Sequence, residues 1–538
     1  MVVRRIELCV FLTILLLFPG INTFSQDKFW IVFTDKNGVE FNPFEYFDQK
    51  TVEKRLRFGI PLVEYSDLPV RQDYLDRIKE YGNISSSSRW LNAVSMKLEE
   101  EEINKVRNLD FVEEVRLIDG NWTCSGHRDG SIGADQLKLL KAQIDAFNGT
   151  LFTEKGINGK GVRIAVFDIG FTGVDTLEIF RHLREEGKII KTYDFVERKE
   201  NVYHFATHGT TVLGCIAGVL DSLHFGLAPG AEFLLARTEV KAEIFEEEEY
   251  WAAAMEWADR NGADIISSSL GYTEDRYFPK QMDGKTVYVT RIANLAASKG
   301  ILVINAAGNE GDKDWEVIGA PADADSVLSV GGIGEEGIHI SFSSFGPTAD
   351  GRMKPNVVAF GKVISTGKST VKQSYGTSFA TPLITGFAAC VMQMHPDWDN
   401  MKVFEEIQRS GHLYPYYDYA HGYGVPQASY FLDCSEHPDR TFEFRRLVDM
   451  LEIKLVIKGL KSNVLSENEH LERFDMDDQY LYYHIFSPKT DKIRKYAVIR
   501  MEAADRYNIP VSDLKKGEIV RVFYRGFSDE YIYHGSHK

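Results

Sequence analysis

The sequence predicts an α/β protein: a mostly parallel central sheet covered by helices on both faces, with a small α+β unit before it and a small β-rich unit after it. Three observations predict this. Between about residue 134 and residue 432, short apolar runs alternate with helical stretches, as buried parallel strands and their crossover helices do. The preceding ninety or so residues mix strand-like runs with an amphipathic helix, and the last hundred or so are strand-like throughout. A chain of 538 residues has room for two to four such units.

Arg4 and Arg5 precede an apolar run, Ile6 to Phe18, and small residues at Thr23 and Ser25 follow, which predicts an export signal over 1–25. The run is shorter than the ~18 to 20 residues that span a bilayer, and no later segment is apolar enough to do so. Residues 26–122 form the first folded unit. Phe29–Phe33, Trp90–Leu98 and Val112–Ile118 read as strands, Val52–Arg57 as a helical stretch and Glu99–Leu109 as a helix whose glutamates suit its positive end. A polar linker, Asp119 to Gly133, leads into the central unit, 123–432.

In that unit the expected strands are Val162–Phe167, Glu232–Arg237, Ile265–Ser269, Leu302–Ala306 and Val327–Val330. Helices are expected over Thr210–Val219, Glu246–Asn261, Arg291–Ser298 and Ser378–Met394, with Glu246–Glu249 as a solvated surface start. Such a sheet carries its ligands at the carboxyl ends of its strands. Residues 433–538 contain four strand-like runs and no legible chemistry.

Composition narrows the partners. A net charge of 62 − 79 = −17 disfavours a polyanion such as nucleic acid. Beyond the signal only Cys124, Cys215, Cys390 and Cys434 remain, too few for a disulfide framework. Cys215 and Cys390 lie in apolar helical runs and read as small buried hydrophobes.

Three side chains carry the chemistry. Asp168 ends an apolar strand, His208 opens the helical run His208-Gly-Thr-Thr-Val-Leu-Gly214, and Ser378 stands in Gly376-Thr-Ser-Phe-Ala-Thr-Pro382 ahead of an apolar helix. A hydroxyl becomes a nucleophile when an imidazole takes its proton, and a carboxylate orients that imidazole. Taken singly, each has a plainer role: a strand-end cap, one histidine among 14, and a serine helix cap with Pro382 in the first turn. His204 is the nearby rival of His208, but no glycine and no helix follow it directly.

Together these stretches resemble the subtilisin-like serine peptidases, the subtilase or S8 family, in a secreted bacterial form with an N-terminal prodomain. Gly159-Lys-Gly161 before the first strand, Asp168-Ile-Gly170, His208-Gly209-Thr210 and Gly376-Thr-Ser-Phe-Ala all match, in the chain order aspartate, histidine, serine. The resemblance implies a three-layer subtilisin-like fold, catalytic Asp168, His208 and Ser378, and an oxyanion hole built from Asn309 and the Ser378 N–H, with Asn305 the less suited alternative. It also implies that Ser269-Leu270-Gly271 and Ala306-Ala307-Gly308 wall the primary specificity pocket. Polypeptide substrates and an intramolecular prodomain inhibitor follow as partners. No cofactor is required; relatives often carry structural calcium, yet no EF-hand-like ligand spacing is evident. Ile169 stands where the family commonly has a hydroxyl residue, and Thr211 where it commonly has a second histidine. The rival readings are an inactive protease scaffold that binds or adheres, and an α/β-hydrolase esterase, whose serine comes first in G-x-S-x-G.

Overall fold

The computed structural model describes residues 27–118, 134–240, 246–274, 276–367, 371–432, 439–456, 479–501 and 504–535. The expected signal (1–25), the linker (119–133), Cys124 and Cys434 lie outside the described residues.

Seven strands form the central sheet: β5 (Arg163–Asp168), β6 (Ile189–Asp194), β7 (Glu232–Arg237), β8 (Ile265–Ser268), β9 (Leu302–Ala306), β10 (Val327–Ile333) and β11 (Val357–Phe360). The order is β11-β10-β9-β8-β5-β7-β6, every pairing parallel. Successive side chains of a strand point to opposite faces. Ile164 and Val166 accordingly join one core with the helices α2 (His208–Ala217) and α5 (Thr377–Met394). Ala165 and Phe167 join the other, with α3 (Glu246–Arg260) and α4 (Tyr288–Ser298). Both faces are covered, so the strands read as unbroken apolar runs.

The chain leaves β5 towards β7 and β6 on one side, then returns to build β8 to β11 on the other. The sheet therefore reverses direction between β5 and β8, where ligands of open α/β sheets bind. Sequence reading found five of these strands and missed β6 and β11. β6 is one of the two edge strands and the half-exposed one, so its pattern is diluted by Lys191 and Thr192.

A four-stranded antiparallel sheet precedes the central unit: β1 (Asp27–Phe33), β2 (Ile84–Ser88), β3 (Ala93–Leu98) and β4 (Val112–Ile118), in the order β2-β3-β1-β4. Phe29, Ile31 and Phe33 face the unit's own core, whereas Trp30 points into the core of the central unit, its ring 5.2 Å from Tyr288 of α4. One face of this sheet is thus seated on α3 and α4. Helix α1 (Gln49–Phe58) adds a buried ionic contact: Arg55 is held by Asp67 of its own unit at 2.6 Å and by Asp259 of α3 at 2.8 Å. Lys299 of the central unit reaches Asp67 at 2.7 Å.

This docking corrects the expectation for Glu246–Glu249. Glu247, Glu248 and Glu249 are buried, not solvated. Lys28 of β1 pairs with Glu249 at 2.8 Å, and Arg276 approaches Glu247 at 3.2 Å and Glu248 at 3.4 Å. Those partners are distant in sequence, so the acidic run looks like a surface when read locally. Burial pushes the carboxyls of Glu248 and Glu249 above their ordinary range despite these cations.

The C-terminal residues form a three-stranded sheet (Phe442–Arg446, Met450–Leu455, Arg506–Pro510) and a four-stranded one (Tyr480–Ser487, Lys492–Arg500, Ile519–Tyr524, Phe527–Ile532) around a shared core. Tyr482 and Phe523 pack on Leu413 and Tyr416 of the central unit. Among the described residues no helix is long and apolar enough to cross a membrane.

Candidate active site

Asp168 is the last residue of β5, fully buried at the point where the sheet reverses. The N–H of Ile169 donates to its Oδ1 at 2.8 Å, which fixes the carboxylate against its own backbone. His208 opens α2. The following glycine is required by close packing: a Cβ at Gly209 would lie 2.6 Å from the Gly170 carbonyl oxygen and 2.9 Å from the Asp168 Cβ. The Gly209 N–H instead donates to that carbonyl at 3.1 Å. This approach carries His208 Nδ1 to 2.9 Å from both Asp168 carboxylate oxygens. With Nδ1–H committed to Asp168, the Nε2 lone pair is the basic position of the ring.

Ser378 is the second residue of α5, and its neighbour Phe379 places a ring 5.1 Å from that of His208. The Ser378 hydroxyl donates to the Ser269 carbonyl at 2.9 Å, so its proton is directed there. The two serines are reciprocally linked, because Ser269 Oγ donates to the Ser378 carbonyl at 2.9 Å. Pro382 explains the second bond and corrects its expected place in the first turn. The helix begins at Thr377, so Pro382 is its sixth residue. Lacking an N–H, it leaves the Ser378 carbonyl without the usual helical donor, and Ser269 supplies one.

Asn309 follows β9 in a small-residue loop. Its Oδ1 accepts from the Thr377 N–H at 2.8 Å and from Thr377 Oγ1 at 3.0 Å. Those donors fix which end of the amide is oxygen and leave Nδ2 as the free donor beside the start of α5. Asn305 is differently engaged: buried in β9, its Nδ2 donates to the carbonyls of Leu270 and Ala306, each at 2.9 Å.

Comparison with known proteins accords with this geometry. Residues 159–424 match the family model for the Subtilase family, and residues 28–129 match that for the Peptidase S8 propeptide domain of Bacteroidota. Serine protease AprX of Bacillus subtilis is 32% identical over 322 residues, covering 54% of this chain and 70% of that protein. The chain belongs to the subtilase family. Subtilisin NAT of Bacillus subtilis subsp. natto is 28% identical over 335 residues, covering 61% of this chain and 77% of that protein. The solved structure of the epidermin leader peptide processing serine protease of Staphylococcus aureus covers 76% of this chain and all of its own at a TM-score of 0.54 and 16% identity, a likeness of fold.

This subtilase is a serine-type endopeptidase with a propeptide. Its departures from the family pattern have structural occupations. Ile169 is almost fully buried. Thr211 spends its hydroxyl on the Thr366 carbonyl at 2.8 Å and the Thr207 carbonyl at 3.0 Å. Ser269-Leu270-Gly271 and Ala306-Ala307-Gly308 continue from the paired strands β8 and β9, so the two stretches run side by side. Gly308 has φ +118°, and a Cβ there would lie 2.7 Å from Ser344 Oγ. Cys215 is buried, with its thiol pushed up to about 12 by burial; Cys390 is buried and its thiol is likewise raised. Neither is a thiolate nucleophile.

Sequence reading missed what lies behind Asp168. Arg237, at the end of β7, is buried and donates from Nε to the Ile169 carbonyl at 3.2 Å and from Nη1 to Asp194 at 2.9 Å and Glu197 at 3.2 Å. A charged residue ending a buried strand was the available signal. His204, the rival of His208, approaches the same carboxylates at 3.5 and 3.6 Å. Asp194, Glu197 and His204 bring ligand atoms within 4.8 Å of one another, but the two carboxylates are already paired with two cations, Arg237 with both and Lys199 with Glu197. Calcium prefers an all-oxygen cage, which this set does not offer.

Proposed function

We propose that this subtilase is exported as a zymogen and cleaves polypeptides through Asp168, His208 and Ser378. The hydroxyl of Ser378 turns from the Ser269 carbonyl to His208 Nε2, a change within its rotamer repertoire, and attacks the scissile carbonyl as the imidazole takes its proton. Asp168 orients the ring and stabilises the imidazolium. Asn309 Nδ2 and the Ser378 N–H, one of the helix-start donors without an intrahelical acceptor, receive the oxyanion. His208 then protonates the leaving amine, and water repeats the sequence on the acyl-enzyme. The observation that carries this reading is the 2.9 Å contact of His208 Nδ1 with both Asp168 oxygens, which leaves Nε2 as base beside α5.

Labelling with a fluorophosphonate tests it. Ser378 of the processed enzyme is expected to be modified, and a Ser378→Ala variant to take up none. An enzyme left unlabelled at Ser378 would instead be an inactive scaffold. No cofactor enters this chemistry, and calcium has no role in it.

The first unit, 26–122, acts as the intramolecular inhibitor. Its support is the buried seat on α3 and α4, where Glu256 accepts from Ser88 Oγ at 2.6 Å and from the N–H groups of Trp90 and Arg89 at 3.2 and 3.3 Å. Added in excess, that segment is expected to inhibit the mature enzyme, and Glu256→Ala in the enzyme to weaken the inhibition roughly 10- to 100-fold, ~1 to 3 kcal/mol for orphaned donors. Full peptidase activity in the presence of excess segment would refute the assignment. Export rests on the 1–25 pattern and is checked by the N-terminus of the mature protein.

A further inference from the structure

The chain turns after Asp168, and three carbonyls in a row along that turn are each held by a different donor. The Asp168 carbonyl accepts the Thr238 N–H at 3.0 Å, the Ile169 carbonyl accepts Arg237 Nε at 3.2 Å, and the Gly170 carbonyl accepts the Gly209 N–H at 3.1 Å. The outer two are backbone contacts, one to the residue after β7 and one to the helix that His208 opens. The middle donor is a side chain. The peptide it holds lies between the Ile169 N–H, which donates to the Asp168 carboxylate at 2.8 Å, and the Gly170 carbonyl on which the start of α2 rests.

Arg237 is built to hold that peptide in one direction. It is buried at the end of β7, directly across the strand pairing from Asp168. Its Nη1 donates to Asp194 at 2.9 Å and to Glu197 at 3.2 Å. Asp194 is fully buried and is fixed in turn by the N–H groups of Val196 and Glu197, at 2.9 and 2.8 Å. The Phe205 ring covers the guanidinium, whose carbon lies 3.9 Å from the ring centroid. A buried ion pair adds little net stability over apolar residues of similar volume, because desolvation offsets the attraction. What this cluster supplies is direction: a planar fork clamped at Nη1 aims its Nε–H at a single carbonyl.

We propose that Arg237 is a positioning residue for catalysis: by holding the Ile169 carbonyl it fixes the turn that joins Asp168 to the start of α2, and so keeps the carboxylate aligned on His208 Nδ1. The inference rests on the serine-endopeptidase reading above. Alignment matters because an orienting group acts only within a fraction of an ångström of its productive place.

Two substitutions separate the donor from the charge. In Arg237→Lys the ammonium replaces the guanidinium carbon and keeps a cation opposite Asp194, but a carbon replaces Nε and the Ile169 carbonyl loses its donor. In Arg237→Gln the amide nitrogen stands where Nε stood, so the donor is kept and the charge removed. In the processed full-length enzyme, Arg237→Lys is expected to lower kcat roughly ten-fold, with KM within about two-fold and the thermal midpoint little changed. Arg237→Gln is expected to hold kcat within about two-fold and to lower the midpoint, because Asp194 loses its cation. In an Asp168→Asn background, its propeptide removed in trans by a second protease, Arg237→Lys should cost little more, since the alignment is already lost. Unaltered kcat in Arg237→Lys overturns the proposal, and equal kcat losses in both variants overturn it by assigning the effect to the charge. The same ten-fold loss on top of Asp168→Asn would make Arg237 structural only. Should Arg237→Gln not fold, Arg237→Lys with and without Asp168→Asn decides. If the unaltered enzyme cleaves no peptide and Ser378 takes no fluorophosphonate, the endopeptidase reading itself fails, and this inference with it.

Discussion

His208 with Asp168 and His421 with Asp418 are both histidine–aspartate pairs at hydrogen-bond distance, and a glycine follows both histidines. In each pair Nδ1 lies close to both carboxylate oxygens, at 2.9 and 2.9 Å in the first and at 3.0 and 3.1 Å in the second. The pairs diverge at the other ring nitrogen. His421 Nε2 accepts the His339 backbone N–H at 2.9 Å, and its side chain is 3% exposed. Both nitrogens are spoken for, so this ring is locked in one tautomer with no lone pair left for a proton. His208 is 24% exposed and sits beside the helix of Ser378 with Nε2 as its open position. What makes a base is therefore the unclaimed lone pair, and the carboxylate partner by itself makes only a well-held ring. Asn309 and Asn305 repeat the contrast: one amide keeps a free donor, the other has its Nδ2 bound to two carbonyls.

The largest effect should separate the histidines. Removing a triad member costs roughly 10⁶-fold in kcat, so His208→Ala is expected to abolish turnover, and adding it to Ser378→Ala should cost little more. His421→Ala should leave kcat within a few-fold and lower stability instead, by ~3 kcal/mol for breaking a buried pair. A His421 variant with normal stability and dead chemistry would break the comparison.

The asparagines come next. Asn309→Ala is expected to lower kcat 10²- to 10³-fold, ~2.7 to 4 kcal/mol of barrier, with a smaller effect on KM. Asn305→Ala should show mainly in thermal denaturation, at ~1 to 3 kcal/mol for buried carbonyls left without donors. Equal kinetic losses in the two variants would mean that Asn309 has no special donor.

The smallest effect concerns a third histidine. His484 is fully buried, with Nδ1 donating to the Tyr417 carbonyl at 2.6 Å and Nε2 without a partner. Burial pushes its pKa from 6.5 down to about 4. The unfolded chain therefore takes up a proton first, and folded stability contributed here is lost as pH falls from 6.5 through 4. Thermal scans across that range should show the loss, and His484→Asn should flatten it. An identical slope in the variant would mean that His484 does not report on the packing between the C-terminal unit and the central one.

Much of the fold was legible because the signals are local. Unbroken apolar runs gave β5, β7, β8, β9 and β10, since strands buried on both faces need nothing else. Glycine beside histidine and a serine before an apolar helix marked the ends of α2 and α5. β6 escaped because an edge strand shares its face with water, and Arg237 because its partners Asp194 and Glu197 come from the segment that the missed strand introduces.

The sequence by itself determined which residue types could do the chemistry and where strands and helices would present them, because period, caps and close-packed glycines act within a few residues. Only the tertiary structure decided that Glu247 to Glu249 are buried, with Glu249 paired to Lys28 of the first unit, that the Ser378 hydroxyl rests on Ser269, and that His421 is closed where His208 is open. Each of those depends on a partner far along the chain, and hydrogen bonding and burial are set by what packs alongside in space.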